Sequence, residues 1–125
     1  MSVIYDAGVL IGADRNDRRI WADHRARLDL GVVPTITAPV VAQVSRSPGQ
    51  AQLRRFLRGC EVKAFSPHSA HEVGSLLART GLSDVVDAHV VVTASRKSSV
   101  ILTSDAADLR TLSGALPTPV QVLAI

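Results

Sequence analysis

Residues 83–109, SDVVDAHVVVTASRKSSVILTSDAADL, decide the fold because they alternate apolar blocks with acidic residues. They hold four of the nine aspartates in the chain: Asp84, Asp87, Asp105 and Asp108. Asp84 and Asp87 are three positions apart, a spacing that places both carboxylates on one face of a helix. The apolar block 100–103 predicts a short buried strand. Because ligands bind at the carboxyl ends of strands in open α/β sheets, Asp105 is expected to face a ligand.

Segment 84–96 carries conflicting signals for secondary structure. Six of its residues are β-branched and favour a strand: Val85, Val86, Val90, Val91, Val92 and Thr93. The run is longer than most strands and nearly continuous in apolar character, as in a helix that is buried on most sides. We predict a helix, and a strand stays open as the alternative.

The composition bounds the class of protein. A chain of 125 residues fits a single domain, residues 1–125. It is 46% hydrophobic but only 3% aromatic, so the core is aliphatic, which is typical of alternating strands and helices in an α/β fold. Cys60 is the one cysteine and has no partner for an intramolecular disulfide. Without a signal segment or an apolar run long enough to span a bilayer, we expect a cytoplasmic protein that does not bind membranes.

The charge balance is compatible with a nucleic-acid partner. Fourteen basic and eleven acidic residues give a net charge of +3, and twelve of the basic residues are arginine, which suits bidentate contacts to phosphate. A charge of +3 is also ordinary, so it does not decide the partner. Basic residues concentrate in 46–63, and we predict that Arg54, Arg55 and Arg58 form an RNA-binding helix face, with a merely solvated face as the alternative.

In chain order the patterns predict the elements β-α-α-β-α-α-β-α-α-β-α-β. Strands are expected at residues 1–5, 33–37, 61–65, 100–103 and 120–123. This alternation predicts a three-layer α/β/α sandwich around a central, mainly parallel sheet. Asp6 follows the first strand as Asp105 follows the fourth, so both acids are expected at one edge of the sheet. Alternatively, Asp6 is the N-cap of the helix after it.

Two of the predicted helices have definable inner faces. In helix 14–30, the inner face holds Ile20, Trp21, His24 and Leu28, and the stem of Arg25 covers part of it. In helix 67–79, the inner residues are Ala70, Val73, Leu76 and Leu77. His68, His71 and Glu72 lack a second cluster of ligands at a recognised spacing, so we assign them to the surface instead of to a metal site.

Aspartates that converge at one sheet edge repel one another and lose solvation unless a cation lies among them. Hard carboxylate oxygens favour Mg²⁺ or Mn²⁺. Such ions activate water and stabilise a displacement at phosphorus. The sequence therefore predicts a divalent-metal site for phosphodiester chemistry.

Three segments together resemble the PIN domain, and specifically the VapC-type toxin of a toxin–antitoxin pair. They are Asp6-Ala-Gly-Val-Leu-Ile after the first strand, Asp84-Val-Val-Asp87-Ala-His-Val-Val-Val-Thr-Ala, and Ile101-Leu-Thr-Ser-Asp105-Ala-Ala-Asp108-Leu. The resemblance covers nearly the whole chain in order and spacing. It implies a metal-dependent endoribonuclease that acts on structured RNA such as tRNA, is inhibited by a cognate antitoxin and is commonly a homodimer.

The resemblance also implies roles for individual residues. By position, Asp6, Asp87 and Asp105 match the invariant catalytic acids of the family and are expected to bind the metal. Asp84 and Asp108 match accessory acids at the metal, and Thr103 matches the residue that orients the site.

Gln43 departs from the family pattern. The family usually carries a glutamate in the helix that here reads Pro39-Val-Val-Ala-Gln43-Val. An amide oxygen can ligate a cation, but it brings no charge and cannot serve as a base. The alternative function is therefore a weakly active or inactive PIN-type module that binds antitoxin or RNA without cleaving it. A phospho-receiver domain fits less well, since Asp6 is followed by Ala7 and Gly8 instead of a second acid.

Overall fold

The structure, a computed structural model, describes residues 2–125. Met1, which the predicted first strand includes, lies outside the described residues. The elements follow the predicted order, β1 Val3–Tyr5, α1 Ala7–Asp14, α2 Arg18–Asp29, β2 Thr35–Thr37, α3 Ala38–Val44, α4 Ala51–Leu57, β3 Glu61–Lys63, α5 Pro67–Thr80, α6 Val85–Lys97, β4 Val100–Thr103, α7 Ala107–Gly114 and β5 Val122–Ala124. In the part of the chain that the structure describes, no helix is both long and apolar enough to cross a membrane.

The five strands form one sheet in the order β3-β2-β1-β4-β5, and every pairing is parallel. The sheet is thus wholly parallel across residues 2–125, where the sequence predicted a mainly parallel one. Helices α2, α3 and α4 contact α1 on one side, and α5 and α7 contact α6 on the other. Both α1 and α6 contact the central strands, which confirms the α/β/α architecture. The inner strands β2, β1 and β4 are buried on both faces of the sheet, as their continuous apolar runs require, whereas the edge strand β3 is largely exposed.

Segment 84–96 is helical, as predicted, and forms α6. Seven consecutive residues, 88–94, are buried there, so tertiary packing overrides the strand preference of the β-branched side chains. The helix starts at a capping carboxylate, since Asp84 accepts a hydrogen bond from the backbone N–H of Asp87 at 3.0 Å. It ends at Ser98, whose φ of 52° is left-handed.

The predicted helix 14–30 is shorter than expected. Helix α1 ends at Asp14, and residues 15–17 are not helical because Asn16 has a left-handed φ of 60°. Asp17 then starts α2 by accepting from the N–H groups of Arg19 and Ile20. The predicted strands 33–37, 61–65 and 120–123 are likewise shorter or shifted, since pairing covers only the ranges given above.

Two predicted inward positions are wrong, the first by two residues and the second by one. Arg27, not Arg25, reaches the interior, where its Nη1 donates to the hydroxyl of Tyr5 at 3.3 Å. In α5, Ser69 is buried where the pattern placed Ala70, because the Ser69 hydroxyl accepts a hydrogen bond from Arg96 at 3.1 Å.

A buried polar contact joins α2 to the central strand. The hydroxyl of Tyr5 lies 3.0 Å from Nδ1 of His24. Because a guanidinium only donates, Tyr5 accepts from Arg27 and its own proton points to His24. Phe56 packs against the imidazole with ring centroids 4.0 Å apart. Burial, followed by the charge of Arg27, lowers the pKa of His24, and burial raises the pKa of Tyr5 to about 12.

We expect stability to fall in mild acid because His24 is buried in its neutral form. A lowered folded-state pKa contributes stability that is complete above the unfolded value of about 6.5 and is lost as the pH falls below it. Lowering the pH from 7.5 to 5.5 should therefore reduce the unfolding free energy, because the unfolded state takes up a proton at His24 more readily than the folded state does. His89, whose pKa burial also lowers, adds to the same trend.

Denaturant unfolding at both pH values measures this contribution. His24→Gln should lose less stability on acidification than the wild type, while exposed His71→Gln serves as the matched control and should behave like the wild type. An identical pH dependence in His24→Gln and the wild type would contradict the assignment.

Candidate active site

Asp6 lies at the carboxyl end of the central strand, and its carboxylate is not used to cap a helix. It occupies the N-cap position of α1 but makes no capping hydrogen bond with its side chain. The residue is only 8% exposed. Instead, the hydroxyl of Thr103 donates to Asp6 Oδ2 at 2.8 Å. The geometry therefore favours the site role of Asp6 over the N-cap alternative.

Thr103 connects the ends of β1 and β4. Its Oγ1 accepts the backbone N–H of Asp105 at 3.0 Å and lies 3.1 Å from the carbonyl oxygen of the same residue. The hydroxyl has one proton, and the carboxylate of Asp6 is the stronger and closer acceptor. Thr103 thus fixes the position of the Asp6 carboxylate and of the backbone that carries Asp105, in keeping with the orienting role that the resemblance implies.

Gly8 allows the loop after β4 to approach the first turn of α1. A Cβ atom at Gly8 would lie 1.8 Å from Oγ and 2.8 Å from Cβ of Ser104. No side chain larger than hydrogen fits there. Sequence patterns did not predict this role of Gly8. A glycine two residues after a strand-end acid is nevertheless a recognisable sign of close backbone approach.

Asp87 is the most perturbed acid of the site. Its pKa is raised to about 6, first by burial and then by the charges of Asp84, Asp6, Asp108 and Asp105, in that order. The charges of these four carboxylates act on Asp87, which indicates that the five predicted acids share one region of the fold. Asp105 and Asp108 are exposed at the start of α7, whereas Asp6 is buried and Asp87 partly buried.

These acids have no cationic partner in residues 2–125. The ion pairs there lie elsewhere and join Glu61 to Lys63 and Lys97, and Glu72 to His68 and Arg96. His68 and Glu72 are thus a surface pair, as predicted. The five carboxylates leave a net negative charge that a bound cation would neutralise.

The carboxylate oxygens of the site are the kind of ligand that Mg²⁺ and Mn²⁺ prefer. Across residues 2–125, no three His, Cys, Asp or Glu side chains come close enough to enclose one ion. Magnesium keeps several waters and commonly uses one or two carboxylates directly, so a closed cage is not required. Asp6, fixed by Thr103, and Asp87, the acid that the others surround, are best placed to hold such an ion.

Asp84 has a structural role that competes with ligation. One of its carboxylate oxygens accepts from the N–H of Asp87 and caps α6. Its other oxygen makes no hydrogen bond within residues 2–125 and is available to a water or an ion.

Gln43 lies on the exposed side of α3. It lines a cavity of about 330 Å³ together with Ile11, Asp14, Arg15, Val44, Arg46 and Gln50. None of the five site acids lines that cavity, so Gln43 faces the carboxyl-terminal half of α1.

The three arginines predicted to bind RNA are exposed on α4 and at its end. Two of them have partners in the chain. Arg54 donates to the carbonyl oxygen of Pro48, and the guanidinium of Arg55 lies over the ring of Trp21, 4.6 Å from its centroid.

Gly8→Ala tests the contact that holds the two strand ends together. The added methyl group must displace the backbone at Ser104, and overpacking of this kind costs about 1–3 kcal/mol of unfolding free energy. The matched control is Gly74→Ala in α5, where no atom lies within 4 Å of the new methyl group and helix propensity gives a gain of about 0.5–1 kcal/mol. Denaturant unfolding measures both variants. Wild-type stability in Gly8→Ala would show that the loop is not constrained at this point.

Comparison with known proteins places this site in a known fold. No family model matches the sequence, nor does any curated protein. Among solved structures, VapBC2 of Rickettsia felis, bound to a DNA fragment from its promoter, aligns with a TM-score of 0.72 and 16% identity over 100% of this chain and 99% of that chain. A toxin–antitoxin complex from Klebsiella pneumoniae aligns with a TM-score of 0.68 and 20% identity over 96% and 99%.

FitAcB of Neisseria gonorrhoeae aligns as well, with a TM-score of 0.61 and 14% identity over 96% of this chain and 95% of that chain. At such low identities the likeness establishes the fold. All three alignments span nearly the whole of both chains, so the match is to an entire domain. The chain therefore has the PIN-like α/β fold of VapC-type toxins that its sequence predicts.

Proposed function

We propose that this protein is a toxin of the VapC type, a metal-dependent endoribonuclease that cleaves structured RNA such as tRNA. One observation carries the proposal. The buried Asp6 carboxylate occupies a helix N-cap position without capping the helix, and the hydroxyl of Thr103 donates a hydrogen bond to it at 2.8 Å. A carboxylate that is buried, oriented and without a cationic partner is costly unless it has a ligand.

The proposed roles of the acids differ with their burial. Asp6 and Asp87, which are partly or largely withdrawn from solvent, provide the fixed oxygens for the cation. Asp105 and Asp108 are exposed at the start of α7 and are placed to hold water or a further ion. A divalent cation at this site would neutralise charge on the phosphate and lower the pKa of water. A carboxylate that is not engaged by the cation could accept the proton of the attacking water.

A cognate antitoxin and a second copy of the chain are the proposed protein partners. The Klebsiella pneumoniae neighbour is a toxin–antitoxin complex, which supports the first of these. The homodimer rests on the family resemblance. Thr103 and the acids lie at the carboxyl edge of the sheet, where an inhibitor would have to cover them.

The second candidate function is a PIN-type module that binds RNA or antitoxin and cleaves weakly or not at all. Gln43 favours it, because the amide supplies no negative charge where the family usually has a glutamate. Cleavage by the purified protein distinguishes the two functions.

Incubation of the purified protein with a defined tRNA pool tests the proposal. We expect cleavage with Mn²⁺ or Mg²⁺, and none with excess chelator. Asp6→Asn, Asp87→Asn and Asp105→Asn should each abolish it. Asp87→Asn should also stabilise the metal-free protein by on the order of 1 kcal/mol at pH 7.5, where Asp87 is charged, and by nothing at pH 4. Cleavage that resists chelation, or full activity in Asp87→Asn, would refute the metal site.

Asp84→Ser separates capping from ligation. Serine is as good an N-cap as aspartate, so the unfolding free energy should stay within about 0.5 kcal/mol of the wild type. We expect a partial loss of cleavage, smaller than that of Asp87→Asn, because the free oxygen of Asp84 faces the acidic region. Thermal unfolding and the single-turnover rate are the two measurements. Wild-type cleavage in Asp84→Ser would leave Asp84 with the capping role alone.

A further inference from the structure

We propose that a groove along α1 binds the RNA strand through Arg15 and Arg46. This inference rests on the proposed function and adds a substrate contact to it. The groove is distinct from the α4 face that the sequence predicted, and it connects the basic side chains to the acidic site.

Two cavities form the groove and meet at the same residues of α1. The first, of about 330 Å³, includes Arg15, Arg46 and Gln43 in its lining. The second, of about 630 Å³, shares Ile11 and Arg15 with the first and extends to Gly8 and Ser104. Ser104 directly precedes Asp105 and packs against Gly8, two residues after Asp6. The groove therefore ends beside the acids.

The guanidinium groups of Arg15 and Arg46 have no partner within residues 2–125, since these side chains form no hydrogen bond or ion pair with any other part of that range. The carboxylates of Asp14 and Asp17 keep their charges, but their oxygens already accept hydrogen bonds from the chain. Asp14 accepts from Nε2 of Gln50 at 3.0 Å. Asp17 caps α2 by accepting two backbone N–H groups. The second cavity also carries Arg19 and Asp23, whose charges cancel.

Gln50 holds the loop that presents Arg46. Its Oε1 accepts the backbone N–H groups of Arg46 and Ser47 at 2.7 and 3.0 Å. Its Nε2 donates to the carbonyl of Val44 at 2.9 Å as well as to Asp14 of α1. A single side chain thus fixes the loop against α1, so the position of the Arg46 backbone is set before any ligand binds.

The position of Arg15 suits binding and not catalysis. It lies nine residues beyond Asp6, about 14 Å along a helix. A cation at that distance contacts phosphates that flank the reacting one. Ile11, which is 41% exposed midway along the same helix, offers an apolar surface to a base or sugar.

Phosphate is the ligand chemistry that these groups favour. Arg15, Arg46 and the neutral amide of Gln43 line the same cavity. Guanidinium groups without a partner can bind phosphate oxygens bidentately. The arginines of α4 are less available, since Arg54 and Arg55 already contact Pro48 and Trp21. An acidic peptide would use the same cations, and the test includes it.

The test measures tRNA binding in chelator, where no metal-dependent cleavage occurs. Arg15→Gln/Arg46→Gln should bind roughly tenfold more weakly at low salt. Its log–log salt slope should be smaller by about 1.4 to 1.8, since two phosphate contacts are lost. The α4 control, Arg54→Gln/Arg58→Gln, removes the same charge from the face that the sequence predicted to bind RNA, so it tests the competing surface. We expect it to change binding less than threefold. Thermal unfolding confirms that both variants are folded.

A second variant adds a carboxylate to the groove without removing an arginine. Gln43→Glu should pair with Arg15 or Arg46 and weaken tRNA binding severalfold in chelator, whereas Gln43→Ala should bind as the wild type does. An unchanged affinity and salt slope in the arginine variant would overturn the inference, as would an equal loss in the α4 control. Binding of a polyglutamate peptide but not of tRNA would also overturn it.

The same experiment separates this inference from the proposed function. A protein that binds tRNA through Arg15 and Arg46, but does not cleave it with Mn²⁺, would refute the nuclease and retain the groove. A protein that cleaves tRNA with unchanged binding in the arginine variant would retain the nuclease and refute the groove.

Discussion

The parallel pairing of β1 with β4 is the constraint on which the site depends. The register joins Tyr5 to Leu102, so the residues that follow each strand leave the sheet side by side. Asp6 donates its N–H to the carbonyl of Leu102 at 3.0 Å, and Thr103 returns a hydrogen bond to the Asp6 carboxylate. A slip of one residue would turn the Thr103 hydroxyl to the opposite face of the sheet. The pairing of the buried strands thus sets the geometry of the acids that follow them.

The cost of gathering five carboxylates must be offset by the rest of the fold. Asp87 follows the start of α6, a helix in which residues 88–94 are all buried. That apolar block anchors the helix and holds Asp87 near the other acids despite their repulsion. Its position in the first turn also lets the helix dipole favour the negative charge. Packing therefore maintains an electrostatic arrangement that the charges alone would disperse, and a bound cation would relieve the remaining repulsion.

Sequence patterns predicted the order of the elements because that order depends on short-range signals. A strand that ends in an acid is readable at Asp6 and Asp105 without knowing any contact. The side chains that face inward were harder to predict, since the choice depends on a partner elsewhere in the chain. The hydroxyl of Tyr5 selects Arg27 over Arg25. The roles of Gly8 and Gln50 were not predicted, because each depends on a partner distant in sequence. The partner is Ser104 for Gly8 and Asp14 for Gln50.

The neutral side chain of Gln43 bears on the binding of both proposed ligands, the divalent cation and the RNA. In the structure it shares a cavity with Arg15 and Arg46, and not with the acids. A glutamate there would bring negative charge to the carboxyl half of α1, where it would attract these guanidinium groups as well as a cation at the site. The amide leaves both arginines unpaired. Under the proposed function, the missing negative charge at Gln43 would have opposite effects on the two ligands. It would weaken the binding of a cation at the acids and favour the binding of phosphate by the arginines.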